Sequence, residues 1–124
     1  MSGSGHQAAE QLTVGYRTVR DAAVLDLGGE VDIVTAEQMQ EAVRETIDRA
    51  DRLVVIDLGG VTFLGSTGLA VLAEADSLAR DAGKSLHLVS GPDNHAVRRP
   101  IQLTGLDRVL VVFEQMDDAV AVES

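Results

Sequence analysis

Cysteine is absent from the 124-residue chain. That excludes disulfides, thiolate metal sites, iron–sulfur clusters and cysteine nucleophiles, and it fits a reducing compartment. Aromatic residues number only three, Tyr16, Phe63 and Phe113. A protein that stacks single-stranded bases or a flat cofactor normally needs more π-faces than that. Apolar runs stop at about five residues, against the roughly 20 a bilayer span requires. No cationic stretch followed by an apolar core opens the chain, so no secretory signal is expected. Positive charge is in the minority: 10 Lys and Arg face 20 Asp and Glu, for a net charge of −10. The resulting field repels phosphate backbones and anionic lipid, so neither nucleic acid nor a membrane is the expected partner. A basic protein surface suits it better, and the cytoplasm is the expected location.

What is present describes an ordinary globular domain. Hydrophobic residues make up 45% and charged residues 24%, and a chain this long buries roughly 65–70% of its unfolded surface. Residues 1–10, opening Met-Ser-Gly-Ser-Gly, read as a flexible tail, with one domain over 11–124. Leu12–Val19 and Ala22–Leu27 read as strands around a turn at Arg20-Asp21, ended by Gly28-Gly29. Thr35 and Gln38 have capping-box spacing, and Ala36, Met39, Val43, Ile47 and Ala50 recur at helical period. Leu53–Leu58 is a continuous run rich in β-branched residues, the pattern of a strand covered on both faces. Gly59-Gly60 and the short apolar segment Val61–Leu64 follow it.

A second helix is expected from about Thr67 to Ala82, stopped by Gly83. Leu86–Val89 is a further strand, and His87 within it is expected to be partly exposed. Asp93 or Asn94 caps a third helix, in which Pro100 predicts a kink or a late start. Val109–Phe113 and Asp117–Val122 complete the series as a strand and a short helix. Strands alternating with helices after an opening hairpin predict an α/β domain with a mixed sheet.

Chemistry concentrates at Gly65-Ser66-Thr67-Gly68, between an apolar segment and a helix start. Two hydroxyls and free backbone N–H groups at a positive helix end can receive an anion, and they can equally serve as a plain N-cap. A nucleophile elbow would need glycine at position 64, which is leucine, so a small hydrolase acting through Ser66 lacks both elbow and base. No Gly-Lys-Ser/Thr follows a glycine-rich loop, which excludes a P-loop. The three histidines, His6, His87 and His95, lack metal-ligand spacing. Glu30 and Asp32 flank Val31 and could form a carboxylate pair, but no cation or aromatic platform accompanies them. Arg98-Arg99 reads as a solvated basic pair.

The string Asp57-Leu58-Gly59-Gly60-Val61-Thr62-Phe63-Leu64-Gly65-Ser66-Thr67-Gly68-Leu69 closely resembles the signature of the STAS domain in bacterial anti-sigma factor antagonists. Gly29-Glu30-Val31-Asp32-Ile33-Val34-Thr35-Ala36 is similar to the family's segment before its first helix. Leu103-Thr104-Gly105-Leu106-Asp107 is similar to its Thr-Gly-Leu-Asp turn. The three motifs stand in the family's order and span nearly the whole chain.

That resemblance implies a single STAS-type α/β domain: a small mixed sheet of about five strands with helices mainly on one side. It implies a non-enzymatic regulator of transcription that works by partner switching. Such an antagonist binds an anti-sigma factor with serine kinase activity and frees a sigma factor. Phosphorylation of the first hydroxyl of the motif, here Ser66 with Thr67 as second choice, ends the interaction, and a serine phosphatase resets it. The implied partner surface is Glu30 and Asp32 with Phe63, Leu64, Gly65, Ser66, Thr67, Gly68 and Leu69, and no cofactor or metal is implied. A monomer or weak dimer is expected. Gly65 stands where the family commonly has Asp, so slower phosphorylation than in a Gly65→Asp variant is expected. The alternative reading is a small-ligand or nucleotide sensor that uses the same helix end.

Overall fold

The computed structural model describes residues 12–121. The expected tail over residues 1–10, and Val122 of the last expected helix, lie outside them. β1 (Leu12–Val19) and β2 (Ala22–Val31) form the antiparallel hairpin, in register from Leu12↔Gly29 to Val19↔Ala22. β2, β3 (Leu53–Leu64), β4 (Ser85–Val89) and β5 (Val111–Phe113) then pair in parallel, so that sheet order equals chain order. α1 (Ala36–Arg49), α2 (Ser66–Asp81) and α3 (His95–Leu103) supply the crossovers. A single 3-10 turn, Leu106–Arg108, precedes β5, and α4 (Met116–Ala121) follows it.

The glycine pairs do not end strands, contrary to the sequence reading. β2 runs through Gly28-Gly29 and β3 through Gly59-Gly60, with Gly28 paired to Gly60. The register between them slips twice, once after Asp26 and once after Gly29, and each slip places one extra residue in β3. Residues facing the helices are therefore Val54, Ile56, Leu58, Val61 and Leu64, all buried. Their spacing is two, two, three and three, so strict alternation fails although the strand continues. Gly29 sits at the second slip with φ of 94°, a conformation that side chains resist.

α1, α2 and α3 cover one face of the sheet, where Leu25, Ile56, Leu58, Leu72, Leu88 and Ile101 are fully buried. Burying one such side chain stabilises the fold by about 1.5–3 kcal/mol. A smaller cluster on the other face, including Val24, Val55, Val89, Ala119 and Val120, is capped by α4. His87 belongs to this second cluster. It is buried rather than partly exposed, its Nδ1–H donating to Ala119 O at 2.8 Å and its ring 5.1 Å from that of Phe113. Beyond α4 the same face carries Asp26 and Asp57 side by side, and Arg17 reaches both at 2.7 and 3.4 Å.

Two boundaries also bear on expectation. Of the kink or late start expected at Pro100, the late start is not found: α3 begins at His95 and continues past Pro100. The Asn94 side chain donates to Leu58 O and Val61 O, carbonyls that the bulged end of β3 leaves without a β4 partner. β5 is only three residues long, because Val109 and Leu110 both donate their N–H to Leu106 O and continue the turn instead of extending.

Tyr16, the single tyrosine of a chain without tryptophan, provides a probe of the hairpin's packing on α1. Its hydroxyl donates to Glu45 Oε1 at 3.2 Å, and the Arg49 guanidinium lies 4.5 Å above its ring. Partial desolvation, followed by the Glu45 charge, raises its pKa above 10.0. A raised value favours the phenol in the folded state. The contribution is thus complete below about pH 10 and lost as pH rises through the folded-state value. Titration of phenolate absorbance should give one transition above pH 10, which Glu45→Gln moves downward.

Candidate functional site

Parallel pairing brings the carboxyl ends of β2 and β3 together. Glu30 lies opposite Phe63 and Val31 opposite Leu64, and Gly65 N–H donates to Val31 O at 2.8 Å. The extra residue at this bulge is Thr62, whose hydroxyl donates to Gly29 O at 3.3 Å. Both chains then turn into helices on the same side of the sheet, so the β2–α1 and β3–α2 junctions are neighbours.

At the β2–α1 junction Asp32, not Thr35, organises the turn. Asp32 Oδ1 accepts from the N–H groups of Val34 and Thr35 at 3.0 and 3.2 Å. Thr35 Oγ1 accepts from Asp32 N–H and donates to Glu30 O. The expected Thr35–Gln38 capping box is therefore not formed, and the Gln38 amide instead donates to Leu12 O at 3.3 Å. This tight turn leaves Ile33 and Val34 no route inward, and they stand 80% and 72% exposed. Both residues lie within the motif before α1, which by itself assigns neither a role. The available signal was two β-branched residues inside an Asp-to-Thr turn, where neither a strand nor a helix needs them.

At the β3–α2 junction Gly65 is the N-cap and Ser66 the first helical residue, one position later in the helix than the sequence reading placed it. No side chain caps this end and its first turn holds no acidic residue. The N–H groups of the first turn keep their partial positive charge for whatever arrives. The Ser66 side chain is exposed and Thr67 is half-buried.

Gly68 is buried because α2 begins almost in contact with the sheet. A Cβ there would lie 2.5 Å from Val31 Cγ1 and 2.8 Å from Leu64 Cδ1. Leu64 and Leu69, expected on the partner surface, are core residues at 5% and 7% exposure. Phe63 is the outward-facing member of the segment, 50% exposed. Its ring lies over Gly65: a Cβ on residue 65 would meet Phe63 Cε2 at 3.2 Å and Val31 O at 3.3 Å. The Phe63 ring thus covers Gly65, and the core encloses Gly68.

The assembled surface is an exposed serine on a bare helix end. Phe63 stands exposed at the same junction, and the neighbouring β2–α1 junction exposes Ile33 and Val34 and carries the half-buried Glu30 and Asp32. Among the described residues no group of three or more His, Cys, Asp or Glu is placed to hold a metal ion. No described helix is long and apolar enough to cross a membrane.

Comparison with known proteins places this architecture. The family described as "Mlab, STAS domain" matches residues 14–112. The chain belongs to the STAS-domain family. Anti-sigma-F factor antagonist RsfB of Mycobacterium tuberculosis is 37% identical over 112 residues, which cover 90% of this chain and 89% of that one. The crystal structure of an anti-sigma factor antagonist from Mycobacterium paratuberculosis superposes with a TM-score of 0.78 at 30% identity, covering 90% of this chain and 93% of the other. The antagonist SpoIIAA in its unphosphorylated form shares the fold at a TM-score of 0.67 and 17% identity, covering 90% and 100%. SpoIIAA has also been solved in a phosphorylated form.

Within the STAS domain, the three sequence motifs occupy distinct places. Two of them are the junctions just described. The third, Leu103–Asp107, is the exit from α3: Gly105 adopts φ of 76°, and Leu103 is 73% exposed. The five-stranded mixed sheet with three helices on one face and the short α4 on the other is the architecture the resemblance implied.

Proposed function

We propose that this STAS domain is an anti-sigma factor antagonist that docks on its partner through the joined ends of β2 and β3 and is released by phosphorylation of Ser66. The observation that carries the reading is that two neighbouring junctions expose the apolar residues Ile33, Val34 and Phe63 together with a serine on an uncapped helix end. The similarity to antagonists of two mycobacteria supports it. The partner is an anti-sigma factor with serine kinase activity. Its ATP would place the γ-phosphoryl group on Ser66 Oγ, with loss of the hydroxyl proton and departure of ADP. A serine phosphatase reverses the step, and the cycle runs in the cytoplasm. The domain contributes surface and no catalysis, acting as a monomer or weak dimer.

Switching follows from where the charge arrives. Phosphoserine adds about −1.5 to −2 charges and strong acceptor oxygens. The first-turn N–H groups of α2 offset that charge within the free domain. Against an apolar contact centred on Phe63 and Ile33 the same phosphate is desolvated without a partner, and the complex pays a penalty of several kcal/mol. Modification dissolves the complex while leaving the fold intact.

The interface test separates anchors from the residue that builds the turn. Phe63→Ala and Ile33→Ser should each weaken binding to the anti-sigma factor by about 10-fold or more, the range of well-packed apolar anchors. Glu30→Lys should slow association, more so at low salt, where the surface field is least screened. Asp32 is unsuitable for charge reversal, since its carboxylate holds the β2–α1 turn. Surface plasmon resonance on the four proteins checks this, and unchanged rates for all three variants would move the interface elsewhere.

A further inference from the structure

The opposite end of the sheet, where the parallel strands begin, holds a cavity of about 520 Å³ that the partner surface does not use. Arg20 from the hairpin turn, Arg52 from the α1–β3 loop, Ser85 at the start of β4 and His87 line it. β2 spans ten residues, so this end lies about 30 Å from Ser66 by strand rise alone. Within the described residues Arg17, Arg44, Arg49, Arg80 and Arg98 each pair with a carboxylate. Among the described residues Arg20 and Arg52, like Arg99 and Arg108, pair with no carboxylate, although Asp21 and Asp51 also line the cavity and the chain as a whole is acidic. His87 spends its Nδ1–H on Ala119 O, and among the described residues its Nε2 has no hydrogen-bond partner. Ala22, Leu53 and Val120 give the cavity an apolar wall.

Arg20 is also held at a cost. Arg20 and Asp21 form the two-residue hairpin turn with φ of 48° and 71°, both left-handed. Asn-Gly is the pair that relaxes such a turn, and a non-glycine residue there is strained.

We propose that this cavity is a binding site for a small organic phosphate, held by the Arg20 and Arg52 guanidinium groups. Two forks approach the phosphate oxygens, the geometry for which arginine is suited. Ser85 Oγ and His87 Nε2 supply further polar contacts, and the apolar wall receives the organic body. The site is separate from the helix end of α2 and independent of the partner-switching reading.

The test is a titration of the 15N-labelled chain with phenyl phosphate and, separately, inorganic phosphate, at ionic strength held constant with sodium chloride. The reporters are the Ser85 amide and the His87 ring, one of three imidazoles in the chain. Phenyl phosphate should shift both signals saturably and bind more tightly than inorganic phosphate. Arg20→Asn relaxes the turn, so its thermal stability should equal or exceed that of the wild type while its affinity falls roughly tenfold. Arg52→Gln should lose a similar factor, and Ser66→Ala should lose nothing. Shifts that stay linear with concentration overturn the site. Saturable binding that survives both arginine substitutions does the same. Equal affinity for inorganic phosphate overturns the claim that the ligand is organic.

Discussion

Ser66→Asp should lower affinity for the anti-sigma factor by roughly 100-fold, about 2.7 kcal/mol, while Ser66→Ala stays within a few-fold of wild type. Two opposed effects of one carboxylate set this expectation. In the free domain the first turn of α2 has no acidic residue and no side-chain cap, so a carboxylate on its first residue gains about 0.3–1 kcal/mol from the helix end. In the complex that carboxylate must enter a surface whose exposed groups are Phe63, Ile33 and Val34, and desolvation without a partner outweighs the gain. Thermal stability should therefore be unchanged or slightly higher in the variant that binds worst. Isothermal titration beside a melting curve reads both quantities. Weak binding accompanied by a lower Tm would instead point to damage of the fold.

Gly68→Ala should destabilise the domain by about 1–3 kcal/mol, the cost of overpacking a filled core. The sign is what makes this informative. In an ordinary helix the same change stabilises by about 0.5–1 kcal/mol. Here the added methyl would stand 2.5 Å from Val31 Cγ1 and 2.8 Å from Leu64 Cδ1. Val31 is fully buried and β-branched, so it has no alternative rotamer to offer. The start of α2 must lift, carrying Ser66 with it. A fall in Tm of roughly 4–10 °C is expected for a domain of this size, together with weaker partner binding. A Tm at or above wild type would show that α2 does not seat on Val31 as described.

Much of this was legible in the sequence, for reasons that can be stated by residue. Helical period in Ala36–Ala50 and the β-branched run at Leu53 depend on local pattern alone, and both elements are found there. The continuation of β2 and β3 through their glycine pairs was not legible. Two bulges stretch the inward spacing from two residues to three, and only the partner strand shows that pairing persists. The burial of His87 was not legible, because alternation assigns a face but not what covers it, and α4 brings Ala119 back to that face from 32 residues later.

At the site, the motif marks Ser66 in the chain but not its place in the helix. The cap fell to Gly65, whose extended backbone continues the β2–β3 ladder to Val31 O. Leu64 and Leu69 have the residue type of an interface and the position of a core, and Ile33 and Val34 have the reverse. Only the packing of α2 against β2 and β3 distinguishes the pairs.

The central claim is tested most directly by incubating the chain with its anti-sigma factor and ATP, and mapping the phosphate by fragmentation mass spectrometry while following the complex by size-exclusion chromatography. The account predicts phosphate on Ser66, none on Thr67, and dissociation in step with its appearance. Phosphate on Thr67, or a complex that persists when Ser66 is fully modified, would contradict it.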